Sequence, residues 1–183
     1  MTNDSDYIIF DIETTGLSPE TEEIIELSAI RVSGGCVVSE FSLLVNPGME
    51  IPDTVSGITG ITDDMVKDAP GIDRAIKEFV TFIGDSTLVG HNIRRFDMKF
   101  IQRDVQRCLG KTLNNKTIDT LTVAKRVFPN MSSRSLESLT YHYNLSYKGA
   151  HRALNDCYIN KNVYDRMLKD MEKIIIPRND KQN

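Results

Sequence analysis

Residues 7–16, YIIFDIETTG, decide the fold that we predict for this chain. The apolar, β-branched run from Tyr7 to Ile12, followed by Thr14-Thr15-Gly16, is typical of a buried strand that ends in a turn. Asp11 and Glu13 interrupt the apolar pattern. Because side chains alternate across a strand, positions i and i+2 share a face, and the two carboxylates are therefore predicted to be neighbours.

The Asp11–Glu13 pair has two interpretations. Like charges next to buried structure repel each other and lose hydration, which is costly unless a cation or protons compensate. A divalent ion that prefers oxygen ligands is the simplest compensation. The alternative is a strand end at which water solvates both acids.

The rest of the chain predicts an α/β fold with antiparallel strands first. Two apolar runs, 24–32 and 37–45, are joined by Ser33-Gly34-Gly35, which is a hairpin signal. Later segments alternate between helical and extended patterns, with strands near 87–89 and 117–118 and helices over 72–83, 94–109, 121–127, 135–143 and 150–174. We therefore predict a five-stranded mixed sheet, antiparallel in its first three strands and flanked by helices.

Length and composition favour one domain. The chain has 183 residues, 40% of them hydrophobic, which fits a single domain over 1–183 with an ordered core of about 6–176 and a frayed polar end at 177–183. The sequence offers neither a membrane-spanning apolar run nor a signal peptide, so we expect no membrane association and a cytoplasmic location. The three cysteines, an odd number far apart, predict reduced thiols.

Charge is distributed unevenly along the chain. Residues 1–90 carry 17 acidic and 4 basic side chains, whereas residues 91–183 carry 9 and 18. This asymmetry is compatible with cation binding in one place and polyanion binding in another, or with two solvated surfaces. One helix face carries a cation at every fourth position, at Arg95, Lys99, Arg103 and Arg107. This row could follow a phosphate backbone. Alternatively, it is a solvated face on which Asp104 and counterions reduce the repulsion between the cations.

Three further residues are candidates for the site. Asp97 shares a helix face with apolar Ile101 and Val105, which points it inward, although an aspartate in a first turn is also stabilised by the helix dipole. His151 and Asp156 would diverge within one regular helix, so we expect His151 before the helix or in its first turn. The alternatives are an Asp156–Arg152 salt bridge and an exposed loop histidine.

Taken together, these motifs are similar to those of a known family. The segments FDIETTGL (10–17), GHNIRRFD (90–97) and HRALND (151–156) resemble the three exonuclease motifs of DEDDh-type 3′-to-5′ exonucleases, which include the proofreading epsilon subunit of bacterial DNA polymerase III. Three residues separate His91-Asn92 from Phe96-Asp97, where the epsilon pattern usually has two. We therefore expect either a freestanding nuclease or a polymerase accessory subunit.

The resemblance implies a ribonuclease H-like fold and a two-metal site. Asp11, Glu13, Asp97 and Asp156 would hold two divalent ions, Mg²⁺ or Mn²⁺, about 3.5–4 Å apart. His151 would be the general base that removes a proton from the attacking water.

The resemblance also implies substrate contacts and a reaction. Thr14, Thr15 and Leu17 would contact the terminal nucleotide through backbone amides and an apolar wedge. Phe96 would offer a stacking surface or pack beside Phe100, and Asn92 would contact substrate or fix the turn. The expected reaction releases nucleoside 5′-monophosphates from single-stranded DNA 3′ ends in proofreading or repair, with a DNA polymerase as a candidate partner. Alternatives are an exoribonuclease or oligoribonuclease and, from another class, a non-catalytic nucleic-acid-binding adaptor.

Overall fold

Five strands form one mixed sheet, flanked by helices, in the part of the chain that the computed structural model describes, residues 6–175. The strands are β1 (Tyr7–Thr14), β2 (Ile24–Ser33), β3 (Cys36–Leu44), β4 (Thr87–Gly90) and β5 (Thr117–Asp119). Their order is β3-β2-β1-β4-β5, so β1 is central. β1, β2 and β3 pair antiparallel, whereas β4 is parallel to both β1 and β5. The predicted five-stranded mixed sheet is confirmed.

The helices cover both faces of this sheet. They are α1 (Asp53–Thr59), α2 (Asp63–Val66), α3 (Ile72–Ile83), α4 (Asp97–Leu109), α5 (Thr120–Val127), α6 (Leu136–His142) and α7 (Ala153–Ile175). One hydrophobic core joins the sheet to α3 and α4, and a second joins it to α5, α6 and α7. β1 contributes to both cores, which explains its nearly continuous apolar sequence.

The alternation of β1 side chains decides where its acids lie. Ile8, Phe10 and Ile12 pack into the core with α3 and α4, whereas Ile9 packs into the core on the α7 side. Asp11 and Glu13 have the same parity as Ile9, so both carboxylates project from the face that α7 covers. The central strand thus supplies core side chains on one face and acids on the other.

Helices α1 and α2 have no counterpart among the sequence predictions. They contain seven and four residues, too few for an amphipathic period to be recognised. Their segment is stabilised by tertiary packing, in a small third cluster of Ile25, Ile51, Ile61 and Val66. Gly60 ends α1 in the left-handed conformation, with φ of 71°.

Two predicted helices start three residues too early. The helix predicted from Arg94 begins at Asp97, because residues 93–96 form a turn in which the Asn92 carbonyl accepts from the amides of Arg95 and Phe96, and Phe96 departs from helical geometry with φ of −122° and ψ of −85°. The helix predicted from Ala150 begins at Ala153, because His151 has φ of 66°. A residue in the left-handed region cannot continue a right-handed helix.

Within residues 6–175, no helix combines the length and apolarity that crossing a bilayer requires. The three cysteines in this range are free thiols, as predicted. The frayed end predicted at 177–183 lies outside the described residues.

Candidate active site

Three of the four predicted acids meet at one end of β1. Asp11 and Glu13 from β1 and Asp156 from the first turn of α7 each place a carboxylate oxygen within 4.8 Å of the other two. The packing of α7 across β1 and β2 produces this meeting. Residues from the first and last elements of the described chain are therefore joined in a single acidic cluster.

Asp97 reaches the same region from a different element. It is the first residue of α4 and is 4% exposed, in agreement with the inward orientation predicted from its helix face. β4 runs parallel to β1, so the segment leaving β4 reaches α4 at the edge where β1 also ends. Asp97 is not one of the three residues within 4.8 Å, but it has the largest electrostatic effect of any neighbour on Asp11.

Burial raises the pKa of all four carboxyls, and repulsion from neighbouring acids, which include Glu26 and Asp119, adds to the shift. Burial is the largest cause in each case. The pKa of Asp11 lies well above its usual range, and Asp97, Asp156 and Glu13 add to the shift. The pKa values of Glu13, Asp97 and Asp156 are raised to about 8, 7 and 6. The protein alone therefore does not neutralise this cluster.

Asp156 provides a direct test of whether the cluster fits a metal ion. Its Oδ2 accepts a hydrogen bond from the His151 backbone N–H at 2.9 Å. Its Oδ1 is buried and, among residues 6–175, has no hydrogen-bond partner. Buried polar atoms are rarely left unpaired, and hard oxygen donors in a group are the ligands that Mg²⁺ and Mn²⁺ prefer. The donor set therefore fits a divalent cation.

His151 lies before α7 and is exposed, as the sequence predicted for a residue outside the helix. Its left-handed backbone and its N–H bond to Asp156 hold it beside the acidic cluster. The ring of Tyr147 lies edge-on to the imidazole, with 6.2 Å between ring centroids. The pKa of Tyr147 is raised to about 12, by burial first and then by Asp156, Glu137 and Asp11, so the tyrosine also adjoins the acids.

Sequence reasoning missed Glu26, which is 2% exposed in β2. It lies opposite Glu13 in the β1–β2 register and accepts from Arg152 Nη2 at 2.8 Å and from the Ala153 amide at 2.9 Å. An acid within the apolar run Ile24-Ile25-Glu26-Leu27 was the available signal. The alternative that Arg152 pairs with Asp156 is wrong, because Arg152 pairs with Glu26.

The loop after β1 contains the predicted terminal-nucleotide contacts. Leu17 is 85% exposed at its tip, which suits an apolar wedge. Thr14 and Thr15 are buried, and the Thr14 hydroxyl donates to the Gly16 carbonyl at 2.6 Å. The Thr15 amide donates to the Glu23 carbonyl at 2.9 Å, a bond within the loop itself.

Phe96 and Asn92 flank the start of α4. Phe96 is half-buried and packs on Phe100, with ring centroids 5.2 Å apart, which agrees with the core-packing alternative. The backbone N–H of Asn92 donates to Asp119 Oδ1 at 3.0 Å. The same oxygen accepts from the Leu121 N–H and thereby caps the N-terminus of α5. Asn92 thereby fixes the turn between β4 and α4.

The cationic row on α4 divides into two halves. Arg95 and Lys99 are exposed, whereas Arg103 and Arg107 form ion pairs with Glu23 and Asp104. Neither a continuous phosphate track nor a fully solvated face describes this row. The side chains of its second half, Arg103 and Arg107, form ion pairs within the protein.

A cluster of half-buried and buried carboxylates at the end of a central strand, beside an exposed histidine, has the oxygen donors that a divalent cation prefers. The exonuclease family RNase_T matches residues 8–164, and the chain belongs to that family. It is 35% identical over 168 residues to the DNA polymerase III subunit epsilon of Aquifex aeolicus (strain VF5), covering 92% of this chain and 83% of that protein. It is also 39% identical to the PolC-type DNA polymerase III of Bacillus cereus, covering 90% of this chain but only 11% of that polymerase.

Solved structures share the fold. Exonuclease X in complex with 5′ overhanging duplex DNA is 29% identical, with a TM-score of 0.71 and coverage of 89% of this chain and 91% of that one. Escherichia coli exonuclease I in complex with a dT13 oligonucleotide is 18% identical, with a TM-score of 0.79 over 93% of this chain and 42% of that one. The predicted ribonuclease H-like architecture is confirmed, and the chain is an exonuclease.

Proposed function

We propose that this enzyme removes nucleotides one at a time from the 3′ ends of single-stranded DNA, by metal-dependent hydrolysis that releases nucleoside 5′-monophosphates. The observation that carries the proposal is the cluster of Asp11, Glu13 and Asp156, in which Asp156 has a buried oxygen with no hydrogen-bond partner among residues 6–175. Membership of the exonuclease family supports a catalytic role over a binding adaptor.

The carboxylates of Asp11, Glu13, Asp97 and Asp156 would hold two divalent ions, Mg²⁺ or Mn²⁺. When bound, such ions lower the pKa of a water nucleophile and stabilise charge on the leaving oxygen. The four carboxylates supply four negative charges, which two divalent cations neutralise. Burial raises the pKa values of these four carboxyls in the metal-free protein, and bound cations would lower them again.

His151 acts as the general base in this proposal. Its backbone N–H bond to Asp156 ties its position to a metal ligand, and its exposure lets the imidazole reach a phosphate at the cluster. The ring accepts the proton that the attacking water loses as the new P–O bond forms. The edge of Tyr147 limits the directions that the ring can take.

The terminal nucleotide would be held by the loop after β1. Leu17 is the apolar wedge at the 3′ end of the DNA strand. Thr14 shapes the backbone of the loop that carries Leu17. Phe96 and Asn92 line the neighbouring turn. Thr15 contributes through the loop's internal bonding rather than by touching substrate.

The relatives suggest the biological setting. They are named as a subunit of DNA polymerase III and as a PolC-type DNA polymerase III, which supports proofreading or repair, a polymerase partner and a cytoplasmic location. A solved structural neighbour is bound to a dT13 oligonucleotide, which supports a single-stranded DNA substrate.

A 5′-labelled single-stranded oligonucleotide tests polarity and metal dependence together. We expect a ladder of products that shorten from the 3′ end with Mg²⁺ or Mn²⁺, and no products with excess chelator. Immediate release of the labelled 5′ nucleotide would contradict the polarity, and undiminished activity in chelator would contradict the metal site. An RNA oligonucleotide of the same sequence distinguishes the exoribonuclease alternative.

A further inference from the structure

Arg103 makes most of the contacts in the second half of the cationic row on α4, which consists of Arg103 and Arg107. The Arg103 guanidinium donates from Nε and Nη2 to the two oxygens of Asp104, at 2.9 and 3.0 Å. The Asp104 side chain is completely buried, and that of Arg103 is 23% exposed. A fully buried carboxylate requires such a partner, because an unpaired charge in the interior is strongly destabilising.

The remaining donors of Arg103 reach across to the segment that follows the β1 loop. Nη1 donates to the backbone carbonyls of Pro19 and Glu22, at 2.5 and 2.6 Å, and Nη2 donates to Glu23 Oε2 at 2.9 Å. The guanidinium also lies 5.4 Å from the centre of the Phe100 ring. One side chain on α4 therefore fixes backbone positions in residues 18–23.

Residues 18–23 are in turn bonded to the outgoing arm of the same loop. The Thr15 hydroxyl donates to Glu22 Oε2 at 2.6 Å and accepts from the Glu23 amide at 3.0 Å. The Thr15 amide donates to the Glu23 carbonyl. Gly16 lies so close to the Glu22 side chain that a Cβ atom on Gly16 would be 2.8 Å from it. Leu17 stands at the tip of the loop, 85% exposed, directly beyond these bonds.

We propose that Arg103 is a positioning residue for the 3′ terminal nucleotide, because it holds the returning arm of the loop and thereby fixes where Leu17 projects. This inference rests on the proposed function of Leu17 as the wedge. An exposed loop without this support would lose conformational entropy on binding substrate, and holding it in its bound form removes that cost. The partners of Arg103 are Pro19, Glu22, Glu23, Asp104 and Phe100, none of which is a proposed metal ligand.

Arg107 supplies a matched control on the same helix. It pairs with the Glu23 carboxylate at 3.1 and 3.0 Å and with Asp104 at 3.0 Å. Unlike Arg103, it donates to no backbone carbonyl in residues 18–23. Its side chain is 45% exposed. A substitution at Arg107 therefore disturbs the ion cluster and leaves the carbonyl contacts in place.

A double-mutant cycle between Arg103→Lys and Leu17→Ala tests the proposal, with kcat and KM measured on a single-stranded oligonucleotide. Lysine keeps the charge beside Asp104 but cannot make the forked contacts of a guanidinium. We expect Arg103→Lys to raise KM about 5- to 20-fold and to change kcat less than about twofold. In the Leu17→Ala background, the same change should alter KM less than about twofold, because residues that act through one another are not additive. Arg107→Gln should change KM by about twofold or less.

Two results would overturn the proposal: an equal KM factor in both backgrounds, or a fall in kcat at constant KM. Mn²⁺ affinity, measured by titration of the free enzyme, should be the same in wild type and Arg103→Lys. If Arg103→Lys does not fold, the neutral pair Arg103→Gln with Asp104→Asn replaces it in the cycle, with the same expected and contradicting results. A wild-type protein without metal-dependent hydrolysis would instead contradict the proposed function.

Discussion

Replacing Asp156 by asparagine should stabilise the metal-free protein. Asparagine has the shape of aspartate and keeps an oxygen that can accept from the His151 amide, but it removes one charge from the acidic cluster. The pKa of Asp156 is raised from 3.8 to about 6, chiefly by burial, and the residue is 8% exposed. A shift of that size corresponds to about 3 kcal/mol, which we take as the upper limit of the gain.

The sign of this effect depends on pH. A carboxyl whose pKa is raised on folding binds protons more tightly in the folded state. Its cost to stability is therefore absent well below pH 3.8, where Asp156 is protonated in both states, and complete once the pH has risen through about 6. At pH 8 in chelator, we expect Asp156→Asn to be about 1–3 kcal/mol more stable than wild type, and at pH 4 the difference should fall below about 1 kcal/mol.

Urea denaturation followed by circular dichroism, at both pH values and with chelator, measures the difference. Asp85→Asn is the control, because Asp85 is exposed and its substitution should change the free energy of unfolding by less than about 0.5 kcal/mol. Saturating Mn²⁺ should reverse the order, because a ligand at about 1,000 times its Kd stabilises the wild type by about 4.1 kcal/mol. A metal-free variant at pH 8 that is no more stable than wild type would refute the reasoning.

Three further outcomes are expected. Asp11→Asn should fold and lose at least about 100-fold in hydrolysis, since metal ions supply several kcal/mol of transition-state stabilisation; near-normal rates would contradict the metal assignment. Mn²⁺ affinity, measured by calorimetry, should rise between pH 6 and 8 as protons leave Glu13 and Asp156, whose pKa values are about 8 and 6, and a constant affinity would count against competition between metal and protons. Arg152→Gln should lower the free energy of unfolding by about 2 kcal/mol, because it leaves Glu26 buried without its ion pair, whereas Arg152→Gln combined with Glu26→Gln should recover most of the loss in thermal denaturation.

The sequence was most informative where a polar residue contradicts a regular pattern. Asp11 and Glu13 within an apolar strand, and Asp97 on an apolar helix face, violate hydrophobic periodicity, and residues that do so are expected at functional sites. That Asp11 and Glu13 share one face of β1 followed from strand alternation alone. The antiparallel part of the sheet was predictable because β1, β2 and β3 have 8, 10 and 9 residues and a Gly-Gly turn joins β2 to β3.

Other features depend on contacts that periodicity does not encode. Arg103 shares its spacing with exposed Arg95 and Lys99, and only its partners in residues 18–23 distinguish it. The helix start at Ala153 was misplaced because a histidine in the left-handed region, at His151, gives no sequence signal of the kind that glycine gives. Helices α1 and α2 are too short to show a period, and tertiary packing decides them.

The acids of the active site come from β1, α4 and α7, elements that are far apart in the chain and meet only across the finished sheet. A partly synthesised or locally unfolded chain therefore presents isolated carboxylates that cannot assemble a hydrolytic centre. Hydrolysis at the proposed site consequently requires complete and cooperative folding of the domain.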